Sequence, residues 1–194
     1  MVLDIIKKRC SVRSFADKKI SQEIIDVILE AGMLSPSGGN EQAWKFGVIT
    51  DKGLIEQISD SAYKQSWIKT SPLLIVLCTT IVEDERGGRD IQKRRFPQYS
   101  EEITNMDPYL YAALNSEEHQ TKIPGTHMIL QAMEHGIYST WISYFNVDKV
   151  VKLLNLPKRC LPSEIIAFGY PEAEPCPNVK KGKSEVVFYN KYKK

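Results

Sequence analysis

The order of apolar and polar positions divides the chain into helices and strands. From Ser21 to Gly32, SQEIIDVILEAG spaces Ile24, Ile25, Val27, Ile28, Leu29 and Ala31 three and four residues apart, the period of a buried helix. Ser21 stands as its N-cap, Glu23 falls in its first turn, and Gly32 is expected to stop it. After the breaker SPSGGN, WKFGVIT from Trp44 to Thr50 reads as a strand, and DKGLIEQISDSA as a helix capped by Asp51. PLLIVLCTT, from Pro72 to Thr80, is apolar almost throughout, as a strand covered on both faces must be.

The rhythm breaks between Ile81 and His119, where EDERGGRD, KRRFPQYSEE and NMDPYLYAALNSEE mix dense charge with Phe96, Tyr99, Tyr109 and Tyr111. This stretch reads as a partly helical excursion that covers a site. Regularity returns with a helix from about Pro124 to His135 that ends at Gly136. The strand-like IYSTWISYF follows, then NVDKVVKLLNL as a helix between Asn146 as N-cap and Pro157 as terminator. SEIIAFGYP, Ser163 to Pro171, reads as another strand, and the tail from Glu172 is rich in Pro and Lys before it closes on EVVFYNKYKK. Helices outnumber strands and mostly separate them, which predicts a mixed α and β domain with a sheet of about four or five strands. The order of elements leaves parallel and antiparallel pairing open.

Composition narrows the function classes. At 194 residues and 42% hydrophobic, the chain suits a single domain over 1–194, with the lid-like excursion at about 81–119. A formal net charge of +2 lacks the strong basic footprint of a nucleic-acid binder. Cys10, Cys78, Cys160 and Cys176 are widely spaced, without a C-x-x-C pair, and no signal sequence opens the chain, so free thiols in a cytoplasmic setting are expected. The longest apolar run is far short of the roughly 20 residues a membrane helix needs.

Candidate chemistry is sparse. His119, His127 and His135 stand eight residues apart. On a helix each is turned about 80° from the last, so no pair shares a metal-binding face and no metal site is expected. No G-x-S-x-G elbow or nucleophilic Cys signature is present, nor G-x-G-x-x-G or a P-loop. Two polar stretches stay open to two readings each. Gly38 and Gly39 make either a helix-terminating turn or a loop whose bared amides, with Ser37 and Asn40, grip a planar ligand. Arg9, Ser11 and Arg13 in RCSVRSF, with Lys180, Lys181 and Lys183 near the other end, either decorate a solvated face or converge on a phosphate.

Taken together, RCSVRSF, SPSGGNEQAW, HGIYSTWISYFNVDKVVKLLNLP, IIAFGYPEAEP and KKGKSEVVFYNKY resemble, in order and spacing, the nitroreductase family of flavin enzymes. The resemblance implies an α+β sandwich, with a mostly antiparallel central sheet flanked by helices and a C-terminal extension that reaches the partner subunit of a homodimer. It implies FMN as cofactor and NADH or NADPH as reductant. Arg9, Cys10, Ser11 and Arg13 then lie at the FMN phosphate and ribityl chain, with Lys181 or Lys183 closing the phosphate site. Pro36, Ser37 and Gly38 line the flavin ring from the neighbouring subunit, with Asn40 and Gln42 steadying that loop. Trp141, Ile142, Ser143 and Tyr144 approach from the far side, a backbone N–H of Ser143 or Tyr144 near N5. No catalytic side chain is implied.

The activity implied is reduction of a nitroaromatic, quinone or similar conjugated acceptor by ping-pong hydride transfer. A flavin-binding or sensory protein of the same fold, and a reductive dehalogenase or ene-type reductase, are the alternative readings. Three positions depart from the family pattern. Ala43 stands in place of proline, Tyr144 in place of a small residue that leaves room at the flavin, and Gly182 interrupts the basic run of the tail.

Overall fold

A computed structural model describes residues 1–63, 65–80, 88–108, 110–111, 114 and 121–192. Four strands form its sheet: β1 (Trp44–Ile49), β2 (Leu73–Thr80), β3 (Tyr138–Ile142) and β4 (Cys160–Gly169). Their order is β1-β2-β4-β3 and every pairing is antiparallel. The unbroken apolar strand is explained at once by β2, whose successive side chains enter two different cores. Leu74, Val76 and Cys78 join Ile55, Ile58, Phe145 and Val150 on one face. Leu73, Ile75 and Leu77 join Ile25, Ile28, Met128 and Ala132 on the other. Strand β4 divides likewise, Ile165 and Ala167 to the first core, Ile166 and Phe168 to the second. Pro162, which has no N–H to give a ladder, falls where the β2–β4 register slips between Leu77 and Cys78.

The helices are α1 (Val2–Lys8), α2 (Gln22–Met33), α3 (Lys52–Ser61), α4 (Gly88–Arg95), α5 (Ser100–Asn105), α6 (Lys122–Glu134), α7 (Val147–Leu153) and α8 (Lys183–Val186). The caps expected for α3 and α7 are present. Asp51 Oδ1 accepts from Leu54 N at 2.7 Å and Asn146 Oδ1 from Lys149 N at 2.9 Å. Helix α6 ends at Glu134 with His135 as its cap, and Gly136 takes φ +70°, the left-handed turn that glycine adopts without strain.

Two expectations for α2 need correction. Gly32 does not stop the helix, which runs to Met33 with Leu34 as its cap. Gly32 is buried against α6, where a Cβ would stand 2.1 Å from Met128 Cε, so its use is close helix packing. Val27 belongs to the apolar series in sequence but is 37% exposed, outside the core that holds Ile25 and Ile28. Strand boundaries also move: β3 stops at Ile142, short of Phe145, and β4 begins at Cys160 rather than Ser163.

In the excursion, α4 and α5 are tied by Arg89, whose Nη1 donates to Ile103 O at 2.8 Å and Thr104 O at 3.1 Å. Its guanidinium also stacks 4.6 Å from the Tyr111 ring centroid. Tyr109 and His119 lie outside the described residues.

Candidate active site

The segment from Ser11 to Ala16 and the chain leaving β4, Tyr170 to Glu172, are drawn together at the β3 edge of the sheet. The segment after α1 runs along the free edge of β3: Ser11 pairs in parallel with Ser139, and Val12 N donates to Ser139 O at 3.2 Å. Thr140 Oγ1 returns a hydrogen bond to Val12 O at 2.6 Å. The segment then meets the chain leaving β4, where Phe15 pairs with Pro171 and Ala16 N donates to Tyr170 O at 2.9 Å. Ser14 Oγ donates to Glu172. Phe15 is buried and its ring lies against Gly169, where a Cβ would meet Phe15 Cδ1 at 2.6 Å.

This pairing orients the donors. Cys10 is buried, Arg9, Ser11 and Val12 are half-buried, and Arg13 is exposed with its guanidinium carbon 5.9 Å from the Trp67 ring centroid. Cys10, Ser11, Val12, Arg13 and Ser14 form one wall of an open cleft of about 220 Å³, and Ala173 to Cys176 form the other. Hydroxyls and a guanidinium on one wall are groups that can hold an anion, and Glu174 stands on the wall opposite.

A second cleft, of about 330 Å³, opens past the end of β3. Lys122 and Thr126 of α6, Trp141, Ser143 and Glu164 line it. Trp141 comes close to α6 because Gly125 faces it, and a Cβ there would fall 2.3 Å from Trp141 Cη2. Glu164 is the one acid in an otherwise uncharged strand, and it is 6% exposed. Its Oε2 accepts from Ser143 Oγ at 2.5 Å, and its Oε1 faces Lys122 Nζ at 3.6 Å. Beyond Ser143 the chain turns outward: Tyr144 is 67% exposed, its ring 4.5 Å from that of Tyr63, and its carbonyl accepts from Gln65 Nε2 at 2.8 Å. The Tyr144 side chain therefore packs on Tyr63.

The SPSGGN loop is ordered by its own polar atoms. Ser35 Oγ lies 2.7 Å from His127 Nδ1 on α6, which gives that histidine a structural task. Gln42 N donates to Ser37 Oγ at 3.0 Å and Gln42 Nε2 to Asn40 Oδ1 at 3.2 Å. These bonds hold Gly39, Asn40 and Gln42 at φ 57°, 57° and 51°, a region that non-glycine residues seldom enter. Ala43, where the family has proline, is buried and its carbonyl accepts from Thr80 N at 3.0 Å, so the loop's exit is pinned. Pro36, Gly38 and Asn40 remain exposed and Ser37 half-buried.

The polar residues named from the sequence thus occupy separate places. Ser11 and Val12 dock on Ser139 and Thr140 of β3, the strand that leads to Ser143 and Tyr144, whereas the Pro36 to Asn40 loop stands on the α6 side. Lys181 and Lys183 are exposed in the tail, and among the described residues neither is hydrogen-bonded or ion-paired to the Arg9 to Arg13 segment. Lys122, Glu164, Gln65 and Trp67 were not anticipated. Only Glu164 carried a signal in sequence, as a lone carboxylate inside an apolar strand.

A model of the Nitroreductase family matches residues 6–170. The chain belongs to that family. It is 24% identical over 178 residues to the "Putative NADH dehydrogenase/NAD(P)H nitroreductase" of Methanothermobacter thermautotrophicus, covering 90% of this chain and 79% of that one. It is 25% identical over 162 residues to an FMN reductase (NAD(P)H) of Bacillus subtilis, covering 83% and 62%. Among solved structures, NfrA2 of B. megaterium superposes with a TM-score of 0.80 at 19% identity, covering 99% of this chain and 75% of that one. An FMN-dependent nitroreductase of Clostridium difficile gives 0.72 at 23%, covering 98% and 99%. These structures bear out the α+β nitroreductase fold. A member of the Nitroreductase family with these relatives is an NAD(P)H-dependent flavin oxidoreductase with FMN as cofactor. The residues present suit that cofactor: hydroxyls and a guanidinium line one cleft, and Trp141 lines the other. Among the described residues no helix is long and apolar enough to cross a membrane.

Proposed function

We propose that this nitroreductase passes reducing equivalents from NADH or NADPH to a nitroaromatic, quinone or similar flat conjugated acceptor, working as a homodimer. The observation that supports the residue assignments is the docking of Ser11 and Val12 along β3, beside the strand that leads to Ser143. Arg9, Ser11 and Arg13, with Cys10 filling the wall behind them, hold the FMN phosphate and ribityl chain. Lys181 or Lys183 completes the phosphate site from the exposed tail. Trp141, Ser143 and the Tyr144 backbone would stand on one side of the ring, with Ile142, which the sequence also offered, buried behind them in the first core, and a second copy's Pro36, Ser37, Gly38 and Asn40 would stand on the other.

When bound, FMN would supply the two-electron chemistry that links the nicotinamide to the acceptor. The protein's part is to bind, orient and supply polarity. Backbone N–H groups after β3 offer a fixed donor that needs no reorganisation during the reaction. Exposed apolar side chains support the dimer: Val2, Leu3 and Ile6 of α1, and Val187, Phe188 and Tyr189 of the tail, leave a surface suited to a partner. Free thiols suit a reducing cytoplasm. The excursion, with Phe96 and Tyr99 exposed, is the segment that sets acceptor choice.

The test is the double variant Arg9→Ala with Arg13→Ala. It should emerge from purification folded but without bound FMN and its yellow absorbance. Full flavin content would refute the phosphate assignment.

A further inference from the structure

The second cleft carries a polar arrangement that holding a flavin does not require. We propose that Lys122 is the acceptor-side cation of this enzyme: it donates to the oxygen of the bound acceptor and supplies that oxygen's proton, while Glu164 positions it. The inference rests on the acceptor-reducing function proposed above and names the side chain that assists it.

The start of α6 is fastened to β4 at two successive points. Thr121 Oγ1 and Ser163 Oγ are 2.7 Å apart and both residues are buried, and Ser163 Oγ also reaches Leu77 O at 3.1 Å. One residue further along each element, Lys122 faces Glu164 across 3.6 Å. The backbone under Lys122 is therefore fixed, and only its side chain remains to be aimed.

The Glu164 carboxylate does the aiming. Its side chain is only 8% exposed, and burial of such a charge is tolerated because both oxygens have partners. The bond from Ser143 at 2.5 Å is short and fixes the carboxylate, whereas the 3.6 Å separation from Lys122 is an ion pair beyond hydrogen-bond length. Among the described residues the ammonium gives no hydrogen bond, which leaves its donors for another acceptor, and its side chain is 45% exposed, on the wall of the 330 Å³ cleft. The N-terminal end of a 13-residue helix adds positive potential at the same point.

Two-electron reduction of a quinone or nitro group places negative charge on its oxygen. A cation already oriented toward that oxygen stabilises the charge as it develops. The step balances simply. For a quinone, the hydride equivalent from NAD(P)H, two electrons and one hydrogen, adds to the acceptor. An N–H bond of Lys122 breaks as an O–H bond forms on the oxygen left negative, which gives the hydroquinone, and the resulting amine recovers a proton from water at its exposed side.

The test uses FMN-loaded protein in four forms: wild type, Lys122→Met, Lys122→Arg and Glu164→Gln. Flavin content is measured first, then binding of 4-nitrophenolate to the oxidised protein through the probe's own absorbance, then the rate of quinone reduction by pre-reduced enzyme in a single turnover. Lys122→Met should keep its flavin, bind the phenolate about tenfold more weakly and reduce the quinone about a hundredfold more slowly. Lys122→Arg should restore phenolate binding. Glu164→Gln keeps the shape and the bond to Ser143 but removes the charge facing Lys122. It should bind the phenolate more tightly yet reduce the quinone more slowly, opposite effects that a merely structural residue would not produce. Flavin-replete Lys122→Met with wild-type phenolate binding and quinone reduction would overturn the inference and leave the flavin function standing. A wild-type protein unable to hold FMN would overturn both.

Discussion

Replacing Gly169 by alanine tests how the Arg9 to Phe15 segment is seated. Gly169 ends β4 opposite Tyr138, and the added Cβ would lie 2.6 Å from Phe15 Cδ1, 2.8 Å from Cγ and 2.9 Å from Cβ. Carbon atoms settle at about 3.5–4.0 Å, so the overlap is roughly an ångström. Because Phe15 Cβ is itself too close, rotating the ring cannot relieve it, and the backbone of the segment has to withdraw. Overpacking of this kind costs about 1–3 kcal/mol, and the stiffer unfolded chain returns about 0.4–1 kcal/mol. The net loss centres on about 1 kcal/mol, or roughly 2–4 °C in melting temperature for a chain of this size. Urea and thermal unfolding of the apoprotein measure the first effect, and FMN titration followed by fluorescence measures the second. Affinity should fall because Ser11 and Arg13 move with Phe15. Combining Gly169→Ala with Phe15→Leu should recover part of the loss, the coupling expected of two residues in contact. Stability within about 0.5 kcal/mol of wild type with unchanged FMN affinity would refute the reasoning.

Two further outcomes follow from other parts of the molecule. Burial raises the Cys78 and Cys160 thiols above the ordinary value, so at pH 8 their reactive thiolates are scarcer than those of a free cysteine. With Cys10 also buried, a thiol reagent at pH 8 should titrate Cys176 rapidly and the other three only after unfolding; rapid titration of two or more would contradict the packing. Asp51→Ala removes the oxygen that satisfies Leu54 N and should cost about 1 kcal/mol in urea unfolding with no change in bound FMN, whereas no measurable loss would count against the cap.

Much of the fold is legible because its signals are local. The caps Asp51 and Asn146 lie next to the backbone donors they satisfy, and Gly136 follows the helix it ends. The unbroken run in β2 implies cover on both faces before either cover is known. What escaped the sequence depends on partners far along the chain. Gly32 looks like a helix stop until Met128 is placed against it, and Val27 looks buried until the helix is rotated onto α6. The paired arginines could be weighed only through resemblance, since the strand they lie against begins with Tyr138. Lys122 gave no signal, because an exposed lysine at a helix start is ordinary until a buried carboxylate faces it.

The seating of Ser11 to Ser14 also bears on when this protein becomes competent to bind. Val12 is held by Thr140 across 128 residues, and Ser14 by Glu172 across 158. Contacts so distant in sequence incur the loop-closure entropy of nearly the whole chain before they return any stabilisation. The residues synthesised first must wait for β3, β4 and the turn beyond Pro171 before they have a place to dock. On the proposed phosphate assignment, cofactor capture is a late event in folding, and bound flavin then serves as a reporter of completed topology rather than of early collapse.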